Sequence, residues 1–325
     1  MTTNSRTDLT GLWIPIVTPF SSDGALDHVS LQRLAEGLLA DGADGIVALG
    51  TTGEAATLTL EERREVVSIC DAACRNAGRP LMVGVGTNST QTTVHELTQL
   101  MSVGEVAAAL VVVPYYTRPS EEAVVEHFGL VADASPVPVV LYNVPYRTGR
   151  GLGAAALLEA ARHPNIAGLK QAVGAVDVVT LEVLAGSGAE FAVLAGDDAF
   201  IAPMMALGAQ GAIAAAAHAC TRLFAQLVAQ APGGNETVGS PGVRALAQAL
   251  LPVVTAGFAE PNPAVWKGWL AAEGTIESPT LRRPMTEASP ASVARLTAAI
   301  GEALTWADST AALCSPGPVG PLSPP

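Results

Sequence analysis

The chain has 325 residues, 49% of them hydrophobic, and its 17 Lys and Arg against 30 Asp and Glu give a net charge of −13. That length and apolar content supply one large buried core or two ordinary ones and exclude a wholly disordered chain. The acidic balance, without any basic run, excludes nucleic acid and an anionic membrane surface as partners, because both need clustered Lys and Arg. The opening MTTNSRTDLTG holds no apolar stretch of the kind a secretory signal carries, so a cytoplasmic protein is expected.

Short apolar runs of strand length recur in chain order: LWIPIV to Thr18, GIVALG to Gly50, LMVGVG to Gly86, ALVVVP to Pro114, PVVLYN to Asn143, IAGLK to Lys170, FAVLAG to Gly196 and GAIAAA near Ala214. Their ends lie 18 to 36 residues apart, mostly enough for one helix and two loops. Helical patterns fill the gaps. Leu31, Leu34, Ala35, Leu38 and Leu39 recur at three and four residue intervals behind Asp27, and Val94, Leu97, Leu100 and Met101 do so after the capping candidates Ser89 and Thr90. Near-continuous apolar strands alternating with helices predict a parallel sheet covered on both faces, here an α/β fold of the closed (β/α)8 TIM-barrel type. A doubly wound open sheet fits less well, since no Gly-rich dinucleotide loop follows the first strand.

The stretch Ala199 to Thr221 lacks Asp, Glu, Lys and Arg, but Pro203, Gly208 and Gly211 make it a helix, turn and strand rather than a membrane span. Beyond residue 220 the segments LFAQLVAQA, VRALAQALLPVVTAGF and VARLTAAIGEALTWA read as helices. The expected organisation is a barrel over 1–225, a C-terminal helical extension over 226–308 and a disordered Pro/Gly-rich tail over 309–325, with PGGNETVGSPG at 232–242 as an inter-helix loop.

Cys70, Cys74, Cys220 and Cys314 show no zinc spacing, and Cys70 and Cys74 stand one helical turn apart, where buried thiols are ordinary. His28, His95, His127, His163 and His218 are scattered singly, so structural or surface roles are expected for them and no metal pair forms.

Lysine is the informative residue. Only Lys170 and Lys267 occur, and the other fifteen basic residues are arginines, so a retained lysine marks chemistry that a guanidinium cannot do. A barrel of this type builds its site from the loops after the C-terminal strand ends, and the polar residues fall there: Thr18, GTTGEAATL from Gly50, GTNST from Gly86, PYYTRPS from Pro114, YNVPYRTG from Tyr142, Lys170, and GDD from Gly196. An amine with a reference pKa of about 10.4 is protonated at neutral pH, and burial disfavours the ammonium, which frees it to attack a carbonyl and form a Schiff base. Tyr142 is the candidate for moving the protons that this needs, with Thr51 and Tyr116 as links to solvent. The backbone N–H groups of GTTGE suit a small carboxylate, and Arg147 suits a second one. Thr59 is expected to cap the helix carrying Glu61 and Glu62. Lys267, between Trp266 and Trp269, reads as a helix-surface residue.

Together, GTTGEAATL, PYYTRPS, YNVPYRTG and the lysine ending the sixth strand closely resemble the dihydrodipicolinate synthase and N-acetylneuraminate lyase family, over about residues 10 to 300, with the later GDD, EPNP and LRRPMT segments in the same order. The resemblance implies a pyruvate-dependent class I aldolase in which Lys170 forms the pyruvate imine and Tyr142, Thr51 and Tyr116 relay protons. It further implies that Tyr116 crosses a dimer interface in an obligate homo-oligomer, commonly a dimer of dimers. Thr51 and Thr52 would hold the pyruvate carboxylate, Gly196 and Ile213 would line the pocket, and Arg147 would bind the carboxylate of a small aldehyde acid. No metal or organic cofactor is implied. Within the family GTTGE and Arg147 are most similar to the synthase branch, which condenses pyruvate with aspartate semialdehyde.

Two departures bear on the acceptor: the family's KEATG is KQAVG here, placing Gln171 where a carboxylate is usual, and Tyr146 stands where a small serine is usual. They motivate an alternative, an aldolase or hydratase for another 2-oxo acid such as a 2-keto-3-deoxy sugar acid. A non-catalytic 2-oxo-acid sensor is the reading from another class. The family's allosteric lysine site is matched at Asn88 and Tyr115 but not at Leu60, Arg63 and Thr92, so weak or absent feedback by lysine is expected.

Overall fold

A computed structural model describes residues 8–229 and 241–314. The predicted loop at 232–242 lies mostly outside those residues, as does the tail beyond Cys314.

All eight apolar runs are strands: β1 Gly11–Pro15, β2 Gly45–Ala48, β3 Leu81–Val85, β4 Val106–Val112, β5 Val139–Asn143, β6 Ile166–Gln171, β7 Ala192–Ala195 and β8 Gly211–Ile213. They pair in parallel in chain order, and β8 returns to β1 through Gly11↔Gly211 and Trp13↔Ile213, closing the barrel. The main helices between strands are α1 His28–Ala40, α2 Leu60–Ala77, α3 Thr90–Met101 and α4 Glu121–Ala134, then the single turn α5 Pro145–Thr148, followed by α6 Ala154–Ala160, α7 Val178–Gly186 and α8 Ile201–Ala206. Helix α9, Thr221–Ala229, follows β8, and the extension comprises α10 Pro241–Gly257, α11 Ala264–Ala272 and α12 Pro290–Cys314. Helix α12 runs past residue 308, where the tail was expected to begin.

The predicted caps form. Asp27 accepts from the N–H of Ser30 and Ser89 from that of Thr92, and Thr59 with Glu62 makes a reciprocal capping box at α2. The apolar face Leu31, Leu34, Ala35, Leu38 and Leu39 of α1 is buried against the sheet.

Alternation along the strands divides the apolar residues into two clusters. Leu12, Ile14, Ile46 and Leu81 face the helices in the outer one. Trp13, Val47, Met82, Leu110, Val140 and Leu194 fill the barrel interior. On β6 the register shifts: Val139 pairs with Ile166 but Val140 with Gly168, so Ala167 is an extra residue. Beyond that bulge Leu169 belongs to the outer cluster, and Lys170 lies beside Tyr142 across the strand pair on the inner face. One residue of slip would turn Lys170 out toward the helices.

Candidate active site

Lys170 is the last residue but one of β6, at the mouth of the barrel. It is buried, its Nζ stands 4.5 Å from the centre of the Tyr142 ring, and it lines a cavity of about 520 Å³. Thr51, Thr52, Arg147, Gly196 and Ile213 line the same cavity, so it gathers seven of the eight predicted site residues, Tyr142 among them. A second cavity of about 410 Å³ shares Thr51, Tyr142 and Arg147 with the first, and Tyr115 lines its far side. Gly196 is required by close approach: a Cβ there would stand 2.9 Å from Lys170 Cγ and 2.8 Å from Ala172 Cβ.

The eighth residue, Tyr116, does not join them. It is 86% exposed on its own chain, with positive φ, and its N–H donates to Thr148 O at 3.2 Å. A cross-subunit role, implied by resemblance, is compatible with a ring presented outward.

The acidic groups around the lysine are individually tied. Asp197 accepts from Tyr146 Oη at 3.2 Å and from the N–H of Gly174 at 2.7 Å, so Tyr146 bridges the loops after β5 and β7 beside Arg147. Burial first, then the Asp197 carboxylate, push the Tyr146 phenol above its ordinary range, which keeps it neutral and a donor. Asp198, which sequence reasoning had not singled out within GDD, accepts from the N–H of Ala216 at 2.6 Å. Burial raises its carboxyl to about 7; that hydrogen bond and the charge of Lys170 act the other way.

Two sequence expectations change in the structure. Gln171 points away from the cavity: its side chain is buried between Asn143 Nδ2 at 2.9 Å and Thr180 Oγ1 at 3.1 Å, so its replacement of a carboxylate concerns the layer behind the nucleophile and not the acceptor. Tyr146, by contrast, lines the cavity. Lys267 is no surface residue. It is 0% exposed, and its Nζ donates to Glu54 Oε1 at 2.8 Å and to Thr18 O at 2.9 Å, 4.2 Å from the centre of the Phe20 ring. The helix-surface reading failed because α11 docks on the loops at the barrel mouth, where the Glu54 carboxylate of GTTGE offsets the desolvation of the ammonium. Arg282 continues the clamp, its N–H on Glu54 Oε2 at 3.0 Å and its guanidinium on Glu62 at 2.7 Å.

The histidines are structural or peripheral. His218 is buried, accepts from the N–H of Val17 at 3.1 Å, and is held neutral by burial with its pKa lowered to about 4; His28 is exposed beside Glu65. Arg63, one of the positions where the resemblance implies an allosteric site that this sequence does not match, is paired with Glu96 at 2.9 Å and donates to Ala55 O at 3.1 Å. No described helix is long and apolar enough to cross a membrane.

A closed parallel barrel with a buried lysine near the end of β6, set against the Tyr142 ring in a cavity also lined by Thr51, Thr52 and Arg147, is the arrangement expected of a barrel enzyme with an amine nucleophile. The profile of the Dihydrodipicolinate synthetase family matches residues 8–303, and the chain belongs to that family. It is 39% identical over 298 residues to the 4-hydroxy-tetrahydrodipicolinate synthase of Halorhodospira halophila, covering 90% of this chain and 96% of that one. Among solved structures, the 4-hydroxy-tetrahydrodipicolinate synthase of Methylacidiphilum fumariolicum SolV superposes with a TM-score of 0.87 at 31% identity, covering 94% of this chain and 99% of the other. The chloride-inhibited dihydrodipicolinate synthase of Acinetobacter baumannii, described in complex with pyruvate, gives 0.85 at 32% identity, covering 91% and 99%. The chain is thus a lyase, and the synthase reading prevails over the sugar-acid alternative and over the non-catalytic sensor.

Proposed function

We propose that this chain joins pyruvate to aspartate semialdehyde through an imine on Lys170. The observation that carries the reading is the buried Lys170 amine against the Tyr142 ring, at the mouth of a barrel whose relatives are synthases. That the Acinetobacter baumannii relative is described with pyruvate supports the choice of oxo acid.

In this mechanism neutral Nζ of Lys170 attacks C2 of pyruvate, the resulting carbinolamine oxygen gains a proton and leaves as water, and the imine remains. Loss of a C3 proton gives the enamine. Its C3 then bonds to the aldehyde carbon, whose oxygen takes up a proton. Attack of the acceptor's amine on C2 closes the ring and expels Lys170. Tyr142 moves the protons, linked to solvent by Thr51 and by Tyr116 from a second copy. Thr51 and Thr52 hold the pyruvate carboxylate, Gly196 and Ile213 shape the pocket, and Arg147 takes the acceptor carboxylate as a bidentate partner. The lysine itself generates the electrophile, so no organic cofactor or metal enters the scheme.

The enzyme acts in the cytoplasm as a homo-oligomer, a dimer of dimers, and feedback by lysine is weak because Arg63 and Thr92 replace the groups that would receive it.

Trapping tests the reading. With pyruvate and borohydride, intact mass should rise by one reduced pyruvate adduct that maps to Lys170 and is absent from Lys170→Arg. No adduct at saturating pyruvate would overturn it.

A further inference from the structure

The mechanism above leaves one feature of the cavity unused: its third wall does not come from the barrel. Phe258, Glu260, Pro261 and Asn262, in the segment joining α10 to α11, line the same cavity as Lys170. The segment is anchored at both ends. Glu260 accepts from Ser289 N at 3.1 Å and from its hydroxyl at 2.6 Å, just before α12. On the other side Lys267 is locked to Glu54, in the same loop as Thr51 and Thr52.

Between these anchors Asn262 Nδ2 donates to Thr52 Oγ1 at 2.9 Å. Thr52 is buried, and among the described hydrogen bonds its hydroxyl donates to no acceptor. A threonine hydroxyl is otherwise a free rotor that can show a ligand either a lone pair or a proton. An amide N–H fixed on its lone pair removes that choice and leaves the O–H to be donated. Only a donor suits a carboxylate, which accepts and never donates. Asn262 meanwhile keeps Oδ1 buried without a partner, a cost that a side chain free to reorient would avoid.

We infer that Asn262 is a positioning residue for the oxo acid: the C-terminal extension sets the polarity of the Thr52 hydroxyl so that it donates to the substrate carboxylate. This rests on the pyruvate reading above. Asn262 touches the substrate through Thr52, so its loss weakens binding of the oxo acid and leaves the steps on Lys170 largely unchanged.

The test uses the full chain and pyruvate with borohydride trapping, alongside steady-state kinetics and thermal unfolding. Asn262→Leu should raise both KM for pyruvate and the half-saturation of adduct formation about tenfold, the scale of one hydrogen bond to a charged group, with kcat within about twofold. Thr52→Val should act similarly, and the double variant should be no worse than the weaker binder of the two, since both remove one interaction. Asn262→Asp keeps the outline but turns the donor into an acceptor that competes for the Thr52 proton. It should weaken pyruvate more than Asn262→Leu does, the reverse of what a packing role gives, and it carries the test should the leucine variant fail to fold. Unchanged half-saturation in both Asn262 variants, or effects that multiply in the double variant, would overturn the inference. Absence of any adduct in the unmutated chain would instead overturn the pyruvate reading.

Discussion

Lys170 and Lys267 are the two lysines of the chain, both are buried, and their surroundings differ completely. Lys267 has a carboxylate at 2.8 Å, a backbone carbonyl at 2.9 Å and an aromatic face above it in a closed cluster, where the Glu54 carboxylate opposes the burial that lowers its pKa. Lys170 has no hydrogen bond or ion pair among the described residues, faces the Tyr142 ring, and opens onto a cavity. Burial alone therefore does not make a lysine a nucleophile. A partnered lysine spends its charge on structure, while one aimed into a cavity without a hydrogen-bond partner can reach a carbonyl carbon. The first region ties the extension to the barrel, and the second is the one that the proposed mechanism uses.

The largest effect should separate the two lysines outright. Lys170→Arg keeps charge and removes the nucleophile, so kcat/KM should fall by at least about a thousandfold with little change in the thermal midpoint. A turnover near that of the unmutated chain would erase the contrast. Lys267→Met should do the reverse, leaving the buried Glu54 charge without its ion-pair partner, with only the Arg282 N–H on Oε2, at the cost of about 3–5 kcal/mol in urea unfolding, with activity lost only as the fold is lost. Adding Glu54→Gln to Lys267→Met should recover part of that loss, because the uncompensated charge is gone. Equal destabilisation by both lysine changes would show that the two sites are energetically alike.

A smaller effect concerns what the mouth admits. Tyr146→Ser removes both the ring beside Arg147 and its hydrogen bond to Asp197, so longer aldehyde acids should gain relative to aspartate semialdehyde by about 10- to 100-fold in kcat/KM ratio, the scale of one pocket contact. An unaltered acceptor ranking would mean that Tyr146 is scenery. The smallest effect belongs to the outer edge of the clamp. Arg282 holds the Glu62 carboxyl below its ordinary value, to about 2. A carboxyl whose folded pKa is depressed contributes stability that is fully present above its unfolded value and is lost as pH falls toward the folded one. The unfolding midpoint of the unmutated chain should thus exceed that of Glu62→Gln by a constant margin above about pH 5, and the margin should close as pH approaches about 2. A margin independent of pH would remove the electrostatic part of the clamp.

Much of the barrel and of its chemistry could be read locally. Strand-length apolar runs at helix-sized intervals specify the alternation, and the strand ends carry Thr51, Tyr142, Arg147, Lys170 and Gly196 because side-chain periodicity and chain order both fix which residues reach the mouth. Gln171 was misplaced for a simple reason: a neighbour in sequence on a strand points to the opposite face. The sequence by itself determined the eightfold β/α order, the caps and the position of Lys170 near the end of β6, since each depends on residues within one or two elements. Only the tertiary structure decided that Lys267 is interior and that Asn262 reaches Thr52. Both are contacts across 213 and 210 residues of chain, and a pairing over that distance leaves no period or spacing to read.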